Sequence, residues 1–192
     1  MAERSARVTI HMAASLDGFI ARQDGSVDWM ETNDTYANGM VLDPEYIRTF
    51  LDGIDCYVMG SETYLTGLGF MAKGLGWAYG DKPVYVLTSR DLDCPLPSVK
   101  FHCGDLSEFF ETKLKRNYRN IWVAGGGKIA AACVRSGLAD EIRYSILPVL
   151  IGRGISFFDG LDCDVRLHLL EATAYKSGIV ALRHEICRSA VA

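Results

Sequence analysis

The chain has 192 residues, 49% of them hydrophobic, with a net charge of −4 and a pI near 5.6. That supports a single domain, residues 1–192, with a sizeable core. No basic block marks nucleic acid or an anionic membrane as a partner, and no apolar run is long enough to span a bilayer.

Six cysteines are scattered along the chain with no C-x-x-C pair, which argues against both a metal site and a disulfide framework. Cys56, Cys133 and Cys187 sit in apolar or periodic segments and read as small buried hydrophobes. The N-terminus is charged but lacks a following apolar signal core, so the expected setting is a reducing cytoplasm.

Residues 7–13 alternate as a strand. Asp43-Pro44 opens a helix with Asp as cap and Pro at its first position; Ile47, Phe50 and Leu51 form its face and Gly53 its stop. Residues 56–59 form a short strand ending at Gly60. The stretch 66–80 holds Gly67, Gly69, Gly74, Gly76 and Gly80 and reads as a mobile surface loop. Residues 84–87 form another strand. Asp105 caps a helix with Leu106, Phe109, Phe110 and Leu114 on its buried stripe. A strand at 121–124 is followed by a helix at 129–136, closed by Gly137. A long strand follows at 141–149. Strands near 165–175 and 179–187 join through Lys176-Ser177-Gly178 as a hairpin. Strand–helix alternation up to about residue 140 predicts an α/β fold, its mainly parallel sheet flanked by helices on both faces. The terminal hairpin makes the sheet mixed.

Three strands end in ligand-friendly chemistry, at the side where open α/β sheets bind. They are followed by Gly60-Ser61-Glu62-Thr63-Tyr64, by Thr88-Ser89-Arg90 and by Gly125-Gly126-Gly127-Lys128. Glycines let backbone N–H groups approach a phosphate, and a new helix N-terminus adds positive potential. The set suits an extended ligand with more than one phosphate, such as a dinucleotide. Gly125 to Ala130 fits G-x-G-x-x-A literally, but too late in the chain for a Rossmann fingerprint; Lys128 precedes Ile129, so a P-loop fails. Near the N-terminus, Asp17-Gly18 interrupts the strand, and Asp28-Trp29 and Asp34 follow. A carboxylate beside an indole can serve as a substrate floor. None of His11, His102, His168 and His184 has a partner at metal-ligand spacing.

These residues resemble a known family. Met12 to Ala21, Met59-Gly60 with Thr63-Tyr64, Gly125 to Lys128, Gly137 to Glu141 and Pro148 to Gly154 are similar to motifs of the dihydrofolate reductase superfamily. More narrowly they resemble the reductase domain of the bifunctional riboflavin-biosynthesis deaminase–reductase. The resemblance implies a three-layer dihydrofolate-reductase-like fold that binds NADPH across the strand ends. It implies that Gly60, Ser61, Thr63 and Tyr64 meet the adenosine and phosphate side, and that Gly125, Gly126, Gly127, Lys128 and Ile129 cradle the pyrophosphate. Ala13, Asp17, Gly18 and Ile20 fall at the nicotinamide side, and Thr88, Ser89 and Arg90 at the adenine ribose.

Many relatives carry a basic residue after Met-Gly, where this chain has Ser61-Glu62. Arg90 is then the candidate for the 2′-phosphate. The deaminase half's H-x-E and P-C-x-x-C are lacking, so the expectation is a stand-alone reductase. Its substrate is a small polar heterocycle, as in reduction of 5-amino-6-(5-phosphoribosylamino)uracil, with Trp29 on the substrate and Asp28 or Asp34 as the acid. The alternatives are a pterin or other small-molecule reductase, a non-catalytic dinucleotide-binding module, and an α/β domain without cofactor. Lys73, Lys128 and Arg153 are candidates for a phosphate tail. The terminal strands suggest a homodimer through paired edges.

Overall fold

The computed structural model describes residues 6–188. Its centre is an eight-stranded sheet in the order β5-β4-β3-β6-β1-β7-β10-β9. The strands are β1 (Arg7–Ser15), β3 (Cys56–Gly60), β4 (Val84–Leu87), β5 (Val99–His102), β6 (Asn120–Gly125), β7 (Glu141–Leu147), β9 (Leu167–Ala174) and β10 (Val180–Ile186). From β5 to β7 every neighbour is parallel, while β10 pairs antiparallel with both β7 and β9. A separate two-stranded sheet joins β2 (Phe19–Ala21) to β8 (Ile155–Ser156). The mixed sheet with its terminal hairpin is the architecture expected from the sequence.

Alternation along the strands feeds two cores. Val8, Ile10, Met12 and Ala14 of β1 face α5 (Gly127–Arg135) and the segment that begins with α3 (Leu106–Phe109). Tyr57 and Met59 of β3, with Val84 and Val86 of β4, face α2 (Ser61–Ala72) and α1 (Pro44–Asp52). Helices therefore cover both faces, completing three layers.

Several local expectations are corrected. The segment 66–80 is not a mobile loop. Its first half is the end of α2, and Trp77 and Tyr79 return to pack on the second core. A Cβ on Gly67 would sit 2.8 Å from the Trp77 ring, so this glycine makes room for an indole rather than loosening the chain. The helix capped by Asp105 does not run regularly to Leu114. It widens over Phe110–Leu114 before closing as α4 (Lys115–Asn117). Phe109 and Phe110 are both buried, and adjacent positions on a regular helix point about 100° apart. Asp43 caps α1 as expected, yet no α1 residue is buried. Cys187 is exposed, unlike Cys56 and Cys133. Strand β7 stops at Leu147, before Pro148. Strand β5 and the small sheet carried no clear period in the sequence, being two to four residues long.

His11 lies on the second face of β1, stacked on Trp122 at 4.9 Å, with its Nε2 3.2 Å from the Ser145 hydroxyl. Burial, aided by the positive charge of Arg143, pushes its imidazole down from 6.5 to about 4. The unfolded chain takes up a proton in that window and the native protein does not. Stability therefore falls as pH drops from about 6.5 to about 4, by at most about 3 kcal/mol. Urea unfolding across that range should show the loss, and His11→Phe should flatten it; an unchanged slope in the variant removes the assignment.

Candidate active site

The carboxyl ends of β1, β3, β4, β6 and β7 share one edge of the sheet. Two helices start there from adjacent strands: α2 directly after β3, with Gly60 as cap, and α5 after β6, with Gly126 as cap. In the register Met59 is paired with Gly125, which brings the two helix starts together. A Cβ on Gly60 would lie 3.9 Å from the Gly126 nitrogen and 3.1 Å from Ile129 Cδ1. Gly125 adopts φ +142, and a Cβ there would be 2.8 Å from Thr63 Oγ1. Two sets of unsatisfied first-turn N–H groups thus open on one spot beside the Thr63 hydroxyl, the chemistry that binds phosphate oxygens.

The three glycines have different tasks. A Cβ on Gly127 would collide with the Ser156 carbonyl oxygen and lie 3.2 Å from the Asp159 nitrogen, whereas one on Gly126 would meet nothing closer than Thr63 Oγ1 at 3.8 Å and Ile20 Cδ1 at 3.9 Å. Gly127 is required by packing against the β8 strand. Gly126 borders open space that a ligand can use.

The other sequence candidates fall into three groups. Ile20 borders the same spot through its Cδ1. Ala13 lies half-buried on β1 opposite Ser145, and Lys128 is exposed on the first turn of α5. Thr88 Oγ1 accepts the Arg90 N–H at 3.0 Å and shapes the turn after β4, with Ser89 exposed at its tip. Arg90 forms an ion pair with Glu62, and its Nη1 lies 3.5 Å from Ser61 Oγ.

Two candidates serve the fold instead. Tyr64 is fully buried; its hydroxyl donates to the Asp93 carbonyl at 2.8 Å and its ring meets Trp77 and Phe101. Its side chain anchors α2 in the second core. The Asp17 carboxylate accepts the Gly152 N–H at 2.7 Å and the Ile151 N–H at 3.3 Å. The Ser15 hydroxyl, then those backbone bonds, hold its carboxyl below the usual range. Gly18, at φ +87, lets the chain turn into β2. Asp17 therefore ties the end of β1 to the loop after β7.

A hollow of about 220 Å³ opens beside this edge, between Trp29 and the segments 31–34 and 147–149. Trp29 is 7% exposed, and its indole N–H is buried without a partner in the structure. An unpaired buried N–H is costly, and a ligand carbonyl would satisfy it. Asp34 lines the hollow. Asp28 does not: it is paired with Arg22 at 2.7 Å, and that partner holds its carboxyl below the usual range. Lys73, Lys128 and Arg153 are not among the lining residues either.

A second hollow, about 260 Å³, lies at the opposite, amino ends of β1, β6 and β7. Arg7, Arg143 and Arg183 there surround the buried Glu141 carboxylate. All three pair with Glu141, and Arg183 also approaches Glu171 at 4.0 Å, so this is an ion cluster holding strands together. Neither hollow has a metal-binding group: the described residues contain no cluster of three or more His, Cys, Asp or Glu able to hold an ion. No helix among the described residues is long and apolar enough to cross a membrane.

The RibD C-terminal domain family matches residues 6–181. YwjB of Bacillus subtilis is 28% identical over 169 residues, 85% of this chain and 88% of its own length. YyaP of the same organism is 27% identical over 186 residues, covering 92% and 93%. Among solved structures, a putative riboflavin biosynthesis protein from Shewanella sp. PV-4 superposes with TM-score 0.79 at 23% identity, covering 95% of this chain and 99% of that one. A deaminase/5-amino-6-(5-phosphoribosylamino)uracil reductase from Thermotoga maritima gives TM-score 0.67 at 16% identity, over 96% of this chain but 58% of the longer relative. These likenesses place the fold with the RibD reductase domains, which are dihydrofolate-reductase-like.

Gly126→Ala should leave stability within about 0.5 kcal/mol, while Gly127→Ala should cost about 1–3 kcal/mol or more through overpacking against backbone. Equal midpoints in urea unfolding would refute the division of labour between the two glycines.

Proposed function

Because the chain belongs to the RibD C-terminal domain family, we propose that it is an oxidoreductase that can take its hydride from NADPH and acts on a small polar heterocycle of the aminouracil type. One observation carries the reading: the convergence of two helix N-termini on glycine-lined strand ends, with an enclosed hollow at the same edge. The residues present fit the cofactor, because Gly126 borders open space, with nothing closer than 3.8 Å to a Cβ built there, beside two helix N-termini where pyrophosphate oxygens can sit. The N–H groups of Ser61, Glu62, Gly127 and Lys128 and the Thr63 hydroxyl would hold that group. NADPH, when bound, supplies the hydride.

The chain's own part is binding and orientation. Ile20 and Ala13 line the path from the pyrophosphate seat toward the hollow. Trp29 donates its buried N–H to a substrate carbonyl and so fixes the ring that is to be reduced. Asp34, in its acid form, donates to the substrate the proton that balances hydride addition and is reprotonated from solvent. Asp28 is committed to Arg22 and is left out of this role. The cysteines, all free, suit a reducing cytoplasm.

Titration with NADPH should stabilise the protein by about 2.7 kcal/mol at a hundredfold excess over Kd. Oxidation of NADPH should then depend on an added aminouracil, and Asp34→Asn should lower kcat by about a hundredfold while Asp28→Asn leaves it within a factor of a few. No stabilisation defeats the cofactor reading. Stabilisation without turnover on any heterocycle points to a binding module, and an unchanged kcat in Asp34→Asn leaves solvent as the proton source.

We also propose a homodimer. Strand β9 is an open sheet edge with Leu167 and Leu169 exposed, and Met40 and Val41 are 62% and 66% exposed ahead of α1, which buries none of its residues. Such apolar surface is unusual on a monomer. Sedimentation should give twice the 21.2 kDa chain mass; a monomer at micromolar concentration overturns the proposal.

A further inference from the structure

We propose that Glu62, by holding Arg90, makes the cofactor site nearly indifferent between NADPH and NADH. The inference rests on the dinucleotide reading of the strand ends. From a pyrophosphate seated between Gly60 and Gly126, the two nucleosides of a dinucleotide must leave in opposite directions. One runs past Ile20 toward the Trp29 hollow, where reduction takes place. The other has to cross the first turn of α2 toward the end of β4, because β4 is the outer neighbour of β3 and Gly60 is paired with Leu87. The side chains at that crossing are Ser61, Glu62 and Arg90.

Arg90 is the one cation in that group, and it is engaged. Its guanidinium pairs with Glu62 Oε1, with Nη1 3.5 Å from Ser61 Oγ. The two side chains are 51% and 76% exposed, so water screens attraction and repulsion alike. A 2′-phosphate arriving here gains from the guanidinium and loses to a carboxylate a few ångströms away, and the two contributions largely cancel. A ribose 2′-hydroxyl meets the opposite situation. It can donate to Glu62 and accept from Arg90, completing the pair without separating it. The carboxylate therefore works against the phosphorylated cofactor and in favour of the unphosphorylated one. Glu62 also sits on the first turn of α2, where the helix dipole attracts a negative charge.

The test is calorimetric titration of the full chain with NADPH and with NADH, in the wild type, Glu62→Gln and Arg90→Ala. The wild type should bind both dinucleotides with Kd values within about threefold. Glu62→Gln frees the guanidinium and should move the ratio at least about tenfold toward NADPH, with an advantage that shrinks as salt rises. Arg90→Ala leaves the carboxylate alone and should move the ratio about tenfold the other way. Glu62→Ala repeats the first shift with a different side chain, and thermal unfolding checks that each variant is folded. A wild-type preference for NADPH beyond about thirtyfold, or a ratio that Glu62→Gln and Glu62→Ala leave unchanged, overturns the inference while leaving the dinucleotide site intact. Failure of both dinucleotides to bind the wild type defeats the cofactor reading, and the inference with it.

Discussion

Backbone has to pass backbone where β6 turns into α5, and that constraint governs the edge of the molecule where ligands can bind. The Ser156 carbonyl occupies the place where any side chain at Gly127 would begin, and Thr63 stands where one at Gly125 would. The turn is therefore pinned from two sides: by the β2–β8 sheet and by the first turn of α2. Asp159 extends the first contact by donating its N–H to the Gly127 carbonyl at 3.2 Å. With the turn pinned, α5 starts next to α2 rather than above its own strand. Two dipoles then add at one point, where either alone would be an ordinary helix start. Packing density, not ligand chemistry, selects two of the glycines, and the space beside Gly126 is the by-product that a phosphate can use.

The opposite end of the sheet is built on charge. Glu141 is 1% exposed at the start of β7, and it is matched by Arg7 on β1, Arg143 two residues along β7 and Arg183 on β10. A buried carboxylate without cations would be prohibitively costly, and three partially exposed guanidiniums pair with it. The same pairs lock β10 into register with β7, where Arg183 is the partner of Arg143 and Glu185 of Glu141. Register matters there because β10 is the strand that joins the hairpin to the rest of the sheet. One end of the sheet is thus fixed by ions and the other left open for ligands.

How much of this was legible in the sequence follows from the length of each signal. The parallel strands, the caps Asp43 and Asp105 and the terminal hairpin carry periodicity or turn chemistry over many residues, and all appear in the fold. The glycine motifs correctly marked the strand ends that come together. Local sequence could not say which glycine a neighbour forbids from having a side chain, because Ser156 and Trp77 are supplied by segments far away or by a later turn. The same limit misread residues 66–80, where glycine content suggested mobility but an indole fills the gap. Tyr64 stands in a phosphate-like motif, yet its side chain is buried in the second core, which its neighbours in sequence do not show. Asp28 is paired with Arg22, six residues earlier in the chain, and no spacing rule shows that pairing.

The proposed cofactor spot and the proposed substrate hollow differ in what holds them. The first is set by strand ends, two helix starts and backbone contacts that tolerate no side chain. The second is walled by Trp29, on a single 3₁₀ turn, and by the irregular segments 31–34 and 147–149. Those segments are fastened at few points: Thr32 donates to the Ser177 carbonyl at 3.0 Å, Tyr36 donates its N–H to the Lys176 carbonyl at 2.8 Å, and Leu16 donates its N–H to the Val149 carbonyl at 2.8 Å. Substitutions in such loops alter a pocket without disturbing the sheet. Reaction class and substrate identity are therefore carried by different physical layers of the same chain. A family likeness that rests on the sheet and its glycines speaks to the first layer far more strongly than to the second.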